Sequence, residues 1–449
     1  MSQPQLIDDE QHERIFEKVA AIDVAKASGM VCTRLPHPSR PGPRRSTVWM
    51  VSATMGAVRA LAAQLVAQGI EKVTLESTSD YWRIWFYLLE EAGLDVQLVT
   101  ASQARQLPGR PKTDKLDAVW LARLTEKGLL RASFVPPPEI RALRDYTRTR
   151  THLTQDRTRC WQRLEKLLED ALIKVSAVAS KITAVSVQDM IAALIAGERD
   201  PQVLAGLART RMKAKHNALA EALDGMFDDH HGELTGMLLD QIAFLDTRIS
   251  QLSTAITAQL AAIRGAWGID TSGATGPGAG TGPDAAVQPA AGRLDEIPGI
   301  SAGLAASIIA EVGLDMTRFP TAAHLVSWAG VCPPTHQSGP RTRHGKTGQG
   351  SSYLRGYLGQ AAIAAARTPT FLGERYRRIA RRRGAAKAQV AIARSLLVII
   401  WHLLNDPAAR FTDLGPGHYE TTINNNRKTR SHIRQLEALG YTVTLTQAA

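Results

Sequence analysis

The chain has 449 residues, enough for two or three domains, and its 44% of hydrophobic residues can fill buried cores. The formal net charge of +12 favours a polyanionic partner such as nucleic acid, because phosphate neutralisation dominates such binding. Three widely separated cysteines, Cys32, Cys160 and Cys332, indicate a reducing compartment and argue against a disulfide framework or a zinc site. The longest apolar stretch, residues 398–404, is too short for a membrane span, and residues 1–13 lack a signal-peptide pattern. We therefore expect a cytoplasmic protein without membrane contact.

Residues 1–15 are expected to be disordered, and residues 16–135 alternate between strand and helix patterns. Strands are predicted at 19–25, 30–35, 46–51, 72–77 and 95–100, and helices at 55–68, at 81–92 and from Asp114 onwards. The predicted order is therefore three strands followed by a helix, a strand, a helix, a strand and a last helix. This is the order of a ribonuclease-H-like domain. The fold class predicted for this part is α/β.

Four acidic residues fall at matching places in that order. Asp23 interrupts the first apolar strand, Glu76 ends the fourth, and Asp114 and Asp117 lie three residues apart and share one face of the last helix. A carboxylate in or at the end of a buried strand is costly unless something binds it, and carboxylate oxygens are the ligands that Mg²⁺ prefers. The four are predicted to form a two-metal phosphoryl-transfer site for Mg²⁺ (or Mn²⁺). For Asp114 and Asp117 alone, the alternative is a solvated helix start, since acids favour the first turn.

Residues 136–264 are predicted to be an all-α arm. Helices are predicted at 139–182, 187–196, 204–222 and 234–263, and the apolar spacing of three and four in the last is typical of a coiled coil. Seven arginines crowd the first helix: Arg141, Arg144, Arg148, Arg150, Arg157, Arg159 and Arg163. A structural role is the better interpretation for any one of them, whereas the cluster favours a nucleic-acid surface. Residues 265–292 have the composition of a flexible linker.

Residues 293–405 are predicted to form a mainly helical C-terminal domain, and residues 406–449 a basic tail. The segment 294–311 resembles a helix-hairpin-helix element, whose turn presents N–H groups to phosphate; an ordinary helical hairpin is the alternative. Ser338 precedes a glycine in a loop rich in cations, and a serine needs a base, a metal or a strong field to become a nucleophile. Without such activation it is a turn residue. Ser351 and Ser352 fit a helix N-cap better.

Further cations in this domain are predicted to contact DNA or RNA backbone, because arginines so closely spaced repel one another without a polyanion. The predicted contacts are Arg341, Arg343, Lys346, Arg355, Arg377, Arg378, Arg381, Arg382 and Arg383.

These motifs together resemble the transposases of the insertion-sequence-one-ten family, the bridge-RNA-guided DEDD recombinases. The resemblance rests on AIDVAK, LEST, KTDKLDA, PGI, LVSWAGVCPPTHQSG and GSSYLRGYLGQAA, and it spans residues 19–404. It implies a RuvC-like domain with Asp23, Glu76, Asp114 and Asp117, a coiled-coil arm, and a transposase domain whose catalytic Ser338 forms a covalent serine–DNA intermediate near Mg²⁺. It also implies a noncoding bridge RNA that pairs with donor and target DNA, and a homo-oligomer, from dimer to tetramer, in which different subunits supply the acids and the serine.

The resemblance further implies a bacterial cytoplasmic enzyme, associated with the nucleoid when it acts. The long glycine-rich linker and the tail after Pro407 depart from the family pattern. Two other functions stay open from the residues. One is a metal-dependent RuvC-like nuclease or Holliday-junction resolvase with water as the nucleophile. The other is a non-catalytic organiser of nucleic acid, against which the four intact acids argue.

Overall fold

The computed structural model describes residues 16–37, 39, 44–77, 79–100, 114–267, 288–339, 341–348, 350–419 and 425–445. These residues fall into two compact units on either side of the Val135–Pro136 bond. The unit before it contains β1 Val19–Val24, β2 Ser28–Pro36, β3 Arg44–Ser52, α1 Met55–Ala67, β4 Lys72–Ser77, a 3-10 turn Asp80–Trp82, α2 Arg83–Glu91, β5 Val96–Thr100 and α3 Asp114–Glu126.

The predicted element order of this unit is confirmed, and its five strands form one mixed sheet in the order β3-β2-β1-β4-β5. The β1–β2 and β2–β3 pairs are antiparallel, whereas β1–β4 and β4–β5 are parallel. Both faces of β1 are buried because α1 and α2 cover one side and α3 covers the other. On the α3 side, burial raises the pKa of the Cys32 thiol to about 11.

The carboxyl end of α3 is held to the sheet by charge. Glu126, a largely buried residue, forms ion pairs with Arg34 of β2 and Arg44 of β3. A buried carboxylate with two arginine partners has its charge matched, so this contact can fix the position of α3 over the sheet.

In the described part of the second unit, seventeen named segments precede the last helix. They are α4 Pro138–Asp170, α5 Val175–Val178, α6 Val185–Ile195, α7 Pro201–Gly206, a 3-10 turn Thr210–Lys215, α8 His216–Leu223, α9 Asp229–Ala262, a 3-10 turn Arg264–Trp267, α10 Ala290–Asp295, α11 Ala302–Val312, a 3-10 turn Met316–Arg318, α12 Ala322–Trp328, β6 Thr335–Ser338, β7 Arg341–His344, α13 Ser352–Ala366, α14 Phe371–Arg383 and α15 Ala385–Asn405. A further helix, α16, spans Asn425–Ala438.

The two long helices α4 and α9 pack as an antiparallel pair. Arg150 contacts Ser253 and Arg157 contacts Asp246, so positions further along α4 meet positions earlier on α9. The short helices α5 to α8 bury a separate apolar core against the far end of α4. The buried positions Ile242, Leu245, Ile249 and Ile256 of α9 repeat at spacings of three, four and seven, a period typical of coiled coils.

Two predicted helices of the arm were wrong in extent. The first ends at Asp170, before the predicted residue 182, because Leu172 takes a positive φ of 61° and the Ile173 N–H closes back on the Leu168 carbonyl at 2.8 Å. The helix predicted at 204–222 is divided into α7, a 3-10 turn and α8. The break follows from the Arg209 N–H, which bonds the Ser186 hydroxyl at 2.9 Å, and from the positive φ of 50° at Thr210.

Helix α15 lies at the centre of the C-terminal helices. By length and composition it is the one helix among the described residues able to span a membrane, longer than the apolar run singled out in the sequence. It nevertheless buries residues such as Ile392, Leu396 and Ile400 against α12, α13 and α14. That packing is the arrangement of a core helix.

Candidate functional site

Asp23 and Glu76 lie side by side in the sheet. They are a register pair of the adjacent parallel strands β1 and β4, so their backbones are roughly 5 Å apart. Side chains two apart on a strand share a face, and Ala21 and Thr74, two positions earlier, face the α3 side. Both carboxylates therefore belong to the face that α3 covers, where Glu76 is 5% exposed and Asp23 is half-buried.

The direction of α3 brings its first turn to the same edge of the sheet. The Phe16 N–H, just before β1, bonds the carbonyl of Glu126 at the end of α3 at 3.0 Å. The helix therefore ends where β1 begins and starts near the edge where β1 and β4 end. That first turn carries Asp114 and Asp117. The side chain of Asp114 lies outside the described atoms.

A hydroxyl contact fixes the position of α3 along β4. Thr125 Oγ1 lies 2.7 Å from Thr74 Oγ1, which also accepts from Gln97 Nε2 at 2.6 Å. Asp117 is two turns before Thr125, roughly 12 Å along the helix, and Glu76 is two residues beyond Thr74, roughly 7 Å along the strand. With helix and strand antiparallel, Asp117 and Glu76 both lie beyond this contact toward the edge where α3 begins, at levels that differ by roughly 5 Å.

The four predicted ligands, Asp23, Glu76, Asp114 and Asp117, are all carboxylates. Oxygen ligands of that kind suit Mg²⁺ or Mn²⁺, whereas zinc sites favour cysteine and histidine. The donor chemistry thus fits the metals predicted from the sequence.

A second group of possible ligands lies at the start of α9. Ligand atoms of Asp228, His230 and His231 come within 4.8 Å of one another. Asp228 is the N-cap of α9 and accepts from the His231 N–H at 3.2 Å, and the His231 ring returns to the Asp228 backbone. A capping box accounts for this cluster.

Ser338 ends the first strand of a β-hairpin, where the sequence predicted a loop. It pairs in register with Arg341 across a two-residue turn, and Gly339 supplies a φ of 58° that glycine adopts without strain. The base of the hairpin is closed by the Gly345 N–H, which bonds the Pro334 carbonyl at 2.8 Å. The side chains of Ser338, Arg341 and Arg343 lie outside the described atoms.

The segment after the hairpin is held by close backbone packing. A Cβ on Gly350 would lie 2.1 Å from the Ala329 carbonyl oxygen, and one on Gly330 would lie 2.8 Å from that of Gly348. Only glycines allow these two segments to cross so closely. The Arg355 guanidinium adds a hydrogen bond to the Gly348 carbonyl at 3.3 Å.

Ser351 caps α13, as the sequence predicted. Its Oγ accepts from the Leu354 N–H at 3.3 Å and donates to the Glu311 carboxylate at 2.8 Å. Glu311 is 1% exposed and also binds Arg148 Nε at 2.8 Å and Nη2 at 3.0 Å. The Arg148 guanidinium lies 4.4 Å from the centre of the Tyr353 ring. One buried network therefore joins α4, α11 and the start of α13.

Several arginines of α4 have partners inside the protein. Besides Arg148, Arg144 donates to the carbonyls of Ala310 and Glu311 at 2.8 and 2.7 Å, which are groups of the last turn of α11. Arg150 and Arg157 bind residues of α9. These arginines serve helix packing, so the interpretation of the whole cluster as a nucleic-acid surface does not hold for them.

The predicted cations of α14 divide into two groups. Arg377 donates to the carbonyls of Ala366 and Thr368 at 3.1 and 3.2 Å and so caps the end of α13. Arg381, Arg382 and Arg383 are exposed in the last turn, as is Lys346 after the hairpin.

Arg378 and the unpredicted Arg375 line a cleft together with Tyr419. The spacing of Arg375, Arg378 and Arg382 on one helix face was a signal already present in the sequence.

The turn before α11 is a second predicted phosphate-binding element. Helices α10 and α11 flank Gly299, whose φ is 92° and whose Cβ would lie 2.3 Å from the Ala361 carbonyl. Two helices joined by a turn are common to both interpretations of the sequence, and this turn packs on α13. Its helix start, Ser301 to Gly303, is exposed.

Two family models match the chain. One, described as a transposase of the DEDD type named for IS110, matches residues 20–173, and the other, described as a transposase of the IS116/IS110/IS902 family, matches residues 291–377. Together they cover more than half of the sequence, and the chain belongs to the IS110 family of transposases. No curated protein matches the chain.

Proposed function

We propose that this transposase cuts and rejoins donor and target DNA through a covalent bond between Ser338 and a DNA phosphate. The observation that carries the proposal is the pairing of Asp23 with Glu76 at the edge of the sheet where α3 begins. Family membership supports action on DNA, and the resemblance supplies the role of the serine. We also propose that the N-terminal sheet is part of a ribonuclease-H-like domain and that the α4–α9 arm is a coiled coil.

The carboxylates of Asp23, Glu76, Asp114 and Asp117 would hold Mg²⁺ or Mn²⁺. A divalent ion bound there supplies charge stabilisation at a scissile phosphate. Glu76 is buried, so little water reaches its carboxylate. Asp117, on the first turn of α3, is positioned by the contacts of Thr125 and Glu126 further along the same helix.

In the proposed step, the Ser338 hydroxyl loses its proton and its oxygen forms a bond to phosphorus. The phosphorus–oxygen bond to one deoxyribose breaks, and that sugar oxygen takes up a proton. Because the phosphoester is conserved on the serine, a DNA hydroxyl can reverse the step and rejoin a strand. The cations of β7 and the following loop, Arg341, Arg343 and Lys346, would orient DNA phosphates around it.

The partners proposed from the family resemblance are donor DNA, target DNA and a noncoding bridge RNA, with two to four copies of the chain. Base pairing with a guide would carry sequence recognition, so the protein itself needs mainly backbone contacts. A cytoplasmic enzyme that works on the nucleoid fits these partners and the packed position of α15.

The test is an incubation with a matching guide RNA, labelled DNA and Mg²⁺, followed by a denaturing gel. We expect a band of DNA shifted by bound protein, lost in Ser338→Ala and in Asp114→Asn. Ser352→Ala is the matched control, since Ser352 is exposed at the start of α13 and is not its cap. Cleaved DNA without an adduct would overturn the serine mechanism and favour the resolvase, in which water attacks.

Metal binding is tested separately from activity. Titration of Mn²⁺ followed by electron paramagnetic resonance should show bound ion in the wild type and weaker binding in Glu76→Gln. Glu91→Gln, a change at an exposed glutamate of α2, should bind as the wild type does. Equal binding by both variants would refute the metal site at the sheet edge.

A further inference from the structure

A cleft of about 340 Å³ opens along one face of α14. It is lined by Arg375, Arg378, Ile379, Arg382 and Arg383 of that helix and by Tyr419. Residues 375, 378, 379 and 382 are spaced by three and four, so one face of the helix presents them together. Among the residues that the structure describes, the lining holds four arginines and no acidic residue.

Residues 406–419, assigned from the sequence to a basic tail, return to this helix. The Arg410 guanidinium pairs with Glu296, and the Phe411 N–H donates to the same carboxylate at 3.0 Å. The Phe371 N–H donates to Asp413 Oδ1 at 3.0 Å. These contacts hold the segment against α10 and the start of α14, and Tyr419 at its end lies in the lining of the cleft.

Tyr419 positions the arginines. It is 8% exposed and its ring stacks on Phe371, with 5.1 Å between centres and 9° between planes. Arg375 Nη1 donates to its hydroxyl at 2.6 Å, and the Arg378 guanidinium lies 4.7 Å from its ring centre. Because Tyr419 is buried, with Phe371 and Arg378 against its ring, the ring offers little surface on which a nucleic-acid base could stack.

The positive charges that line the cleft favour binding of an anion. Arg375 Nε is buried and finds no hydrogen-bond acceptor among the described residues. A buried guanidinium N–H without an acceptor, close to three further arginines, is unfavourable unless an anion joins them. A planar guanidinium matches the geometry of phosphate oxygens.

We propose that this arginine cleft, completed by Tyr419, binds the phosphodiester backbone of nucleic acid. The inference rests on the proposed function and narrows it: the contact is to backbone and not to bases, and residues 406–419 are part of the interface. Arg377 takes no part because it caps α13. Binding at this cleft is independent of nucleotide sequence and sensitive to salt.

The experiment measures binding of fluorescent duplex DNA and of fluorescent RNA by anisotropy, in EDTA so that no strand is cut, over a range of salt. Arg378→Ala should weaken binding by about tenfold and lower the salt slope by about one, as for the loss of one phosphate contact. Arg382→Ala, an exposed position whose loss leaves packing intact, should act the same way. Arg367→Ala removes the same charge from an exposed site just before α14 that does not line the cleft, and it should change affinity by less than about twofold.

Tyr419→Ala removes no charge, yet it should weaken binding as much as Arg378→Ala, because it releases the two arginines that the tyrosine orients. Equal affinity losses in Arg378→Ala, Arg382→Ala and Arg367→Ala would overturn the cleft and leave only a general effect of charge. No loss in any of them would overturn it as well. A loss confined to duplex DNA or to RNA supports the cleft and identifies which of the two supplies the phosphates.

The experiments distinguish failure of the proposed cleft from failure of the proposed function. If the serine–DNA adduct forms in the wild type while the cleft variants bind normally, the cleft is wrong and the recombinase stands. If the cleft variants lose binding while no adduct forms in any protein, the cleft stands and the serine mechanism does not.

Discussion

The buried ion pair between Arg148 and Glu311 should contribute strongly to the free energy of unfolding of the second unit. In Arg148→Met, Glu311 stays 1% exposed and keeps Ser351 as a partner, but it loses the only guanidinium that its carboxylate binds among the described residues. Breaking a buried pair from one side costs about 3–5 kcal/mol. The Arg148 side chain is 30% exposed, so solvent screens part of the pair, and we expect a loss of about 2–4 kcal/mol.

The measurement is urea unfolding followed by circular dichroism, with hydrogen exchange of the α11 amides to locate the effect. Arg157→Ala is the matched control on the same helix, because its pair with Asp246 is solvent-exposed and should contribute under about 1 kcal/mol. The double variant Arg148→Met/Glu311→Gln should recover part of the loss, since it leaves no unpaired charge.

Two results would refute this reasoning. One is an Arg148→Met protein whose free energy of unfolding lies within about 0.5 kcal/mol of the Arg157→Ala protein. The other is a double variant whose loss in free energy of unfolding exceeds the sum of the losses in Arg148→Met and in Glu311→Gln. Either would mean that the network contributes packing only and that the charge of Glu311 is compensated in another way.

The other predictions concern reactivity, pH and backbone packing. In the native protein a maleimide should label only exposed Cys332, with three thiols labelled in urea; labelling of a second native thiol would contradict the burial of the other two. Hydrogen bonds from Arg410 lower the pKa of Glu296, so its folded pKa lies below its unfolded one. Its stabilisation is therefore present above the ordinary glutamate pKa and lost as pH falls through the lowered one, and Glu296→Gln should flatten the acid limb of the urea midpoint. Gly350→Ala should destabilise by more than about 2 kcal/mol because its Cβ would overlap a carbonyl, whereas Gly356→Ala, which meets nothing within 4 Å, should be neutral or stabilising in thermal melts.

The order of elements and the locations of the acids could be read from the sequence because both are local properties. Short apolar or β-type runs predict the strands, and apolar residues at a period near 3.6 predict the helices. Asp23 stands out because it is the one charge in an otherwise apolar strand, and Glu76 because it comes at the end of a β-type run. The Ser351 N-cap is equally local, because a cap acts on the turn that follows it.

Where the sequence analysis was wrong, distant contacts had overridden local preference. The helix predicted at 204–222 breaks because Arg209 bonds Ser186, a residue 23 positions earlier, and helical periodicity does not register that contact. The cation-rich loop around Ser338 became a hairpin because its pairing depends on strand register as well as on composition.

The sequence by itself determined which residue types are available: four acids at strand and helix ends, a serine before a glycine, and an excess of arginine. The tertiary structure decided which of them meet. It paired Asp23 with Glu76, it used Arg144 and Arg148 for packing and left the arginines of α14 around a cleft, and it brought Tyr419 back over 44 residues to Arg375. The physical reason is that a charge stays in the interior only beside its partner, and partners far apart in sequence meet only when the chain has folded.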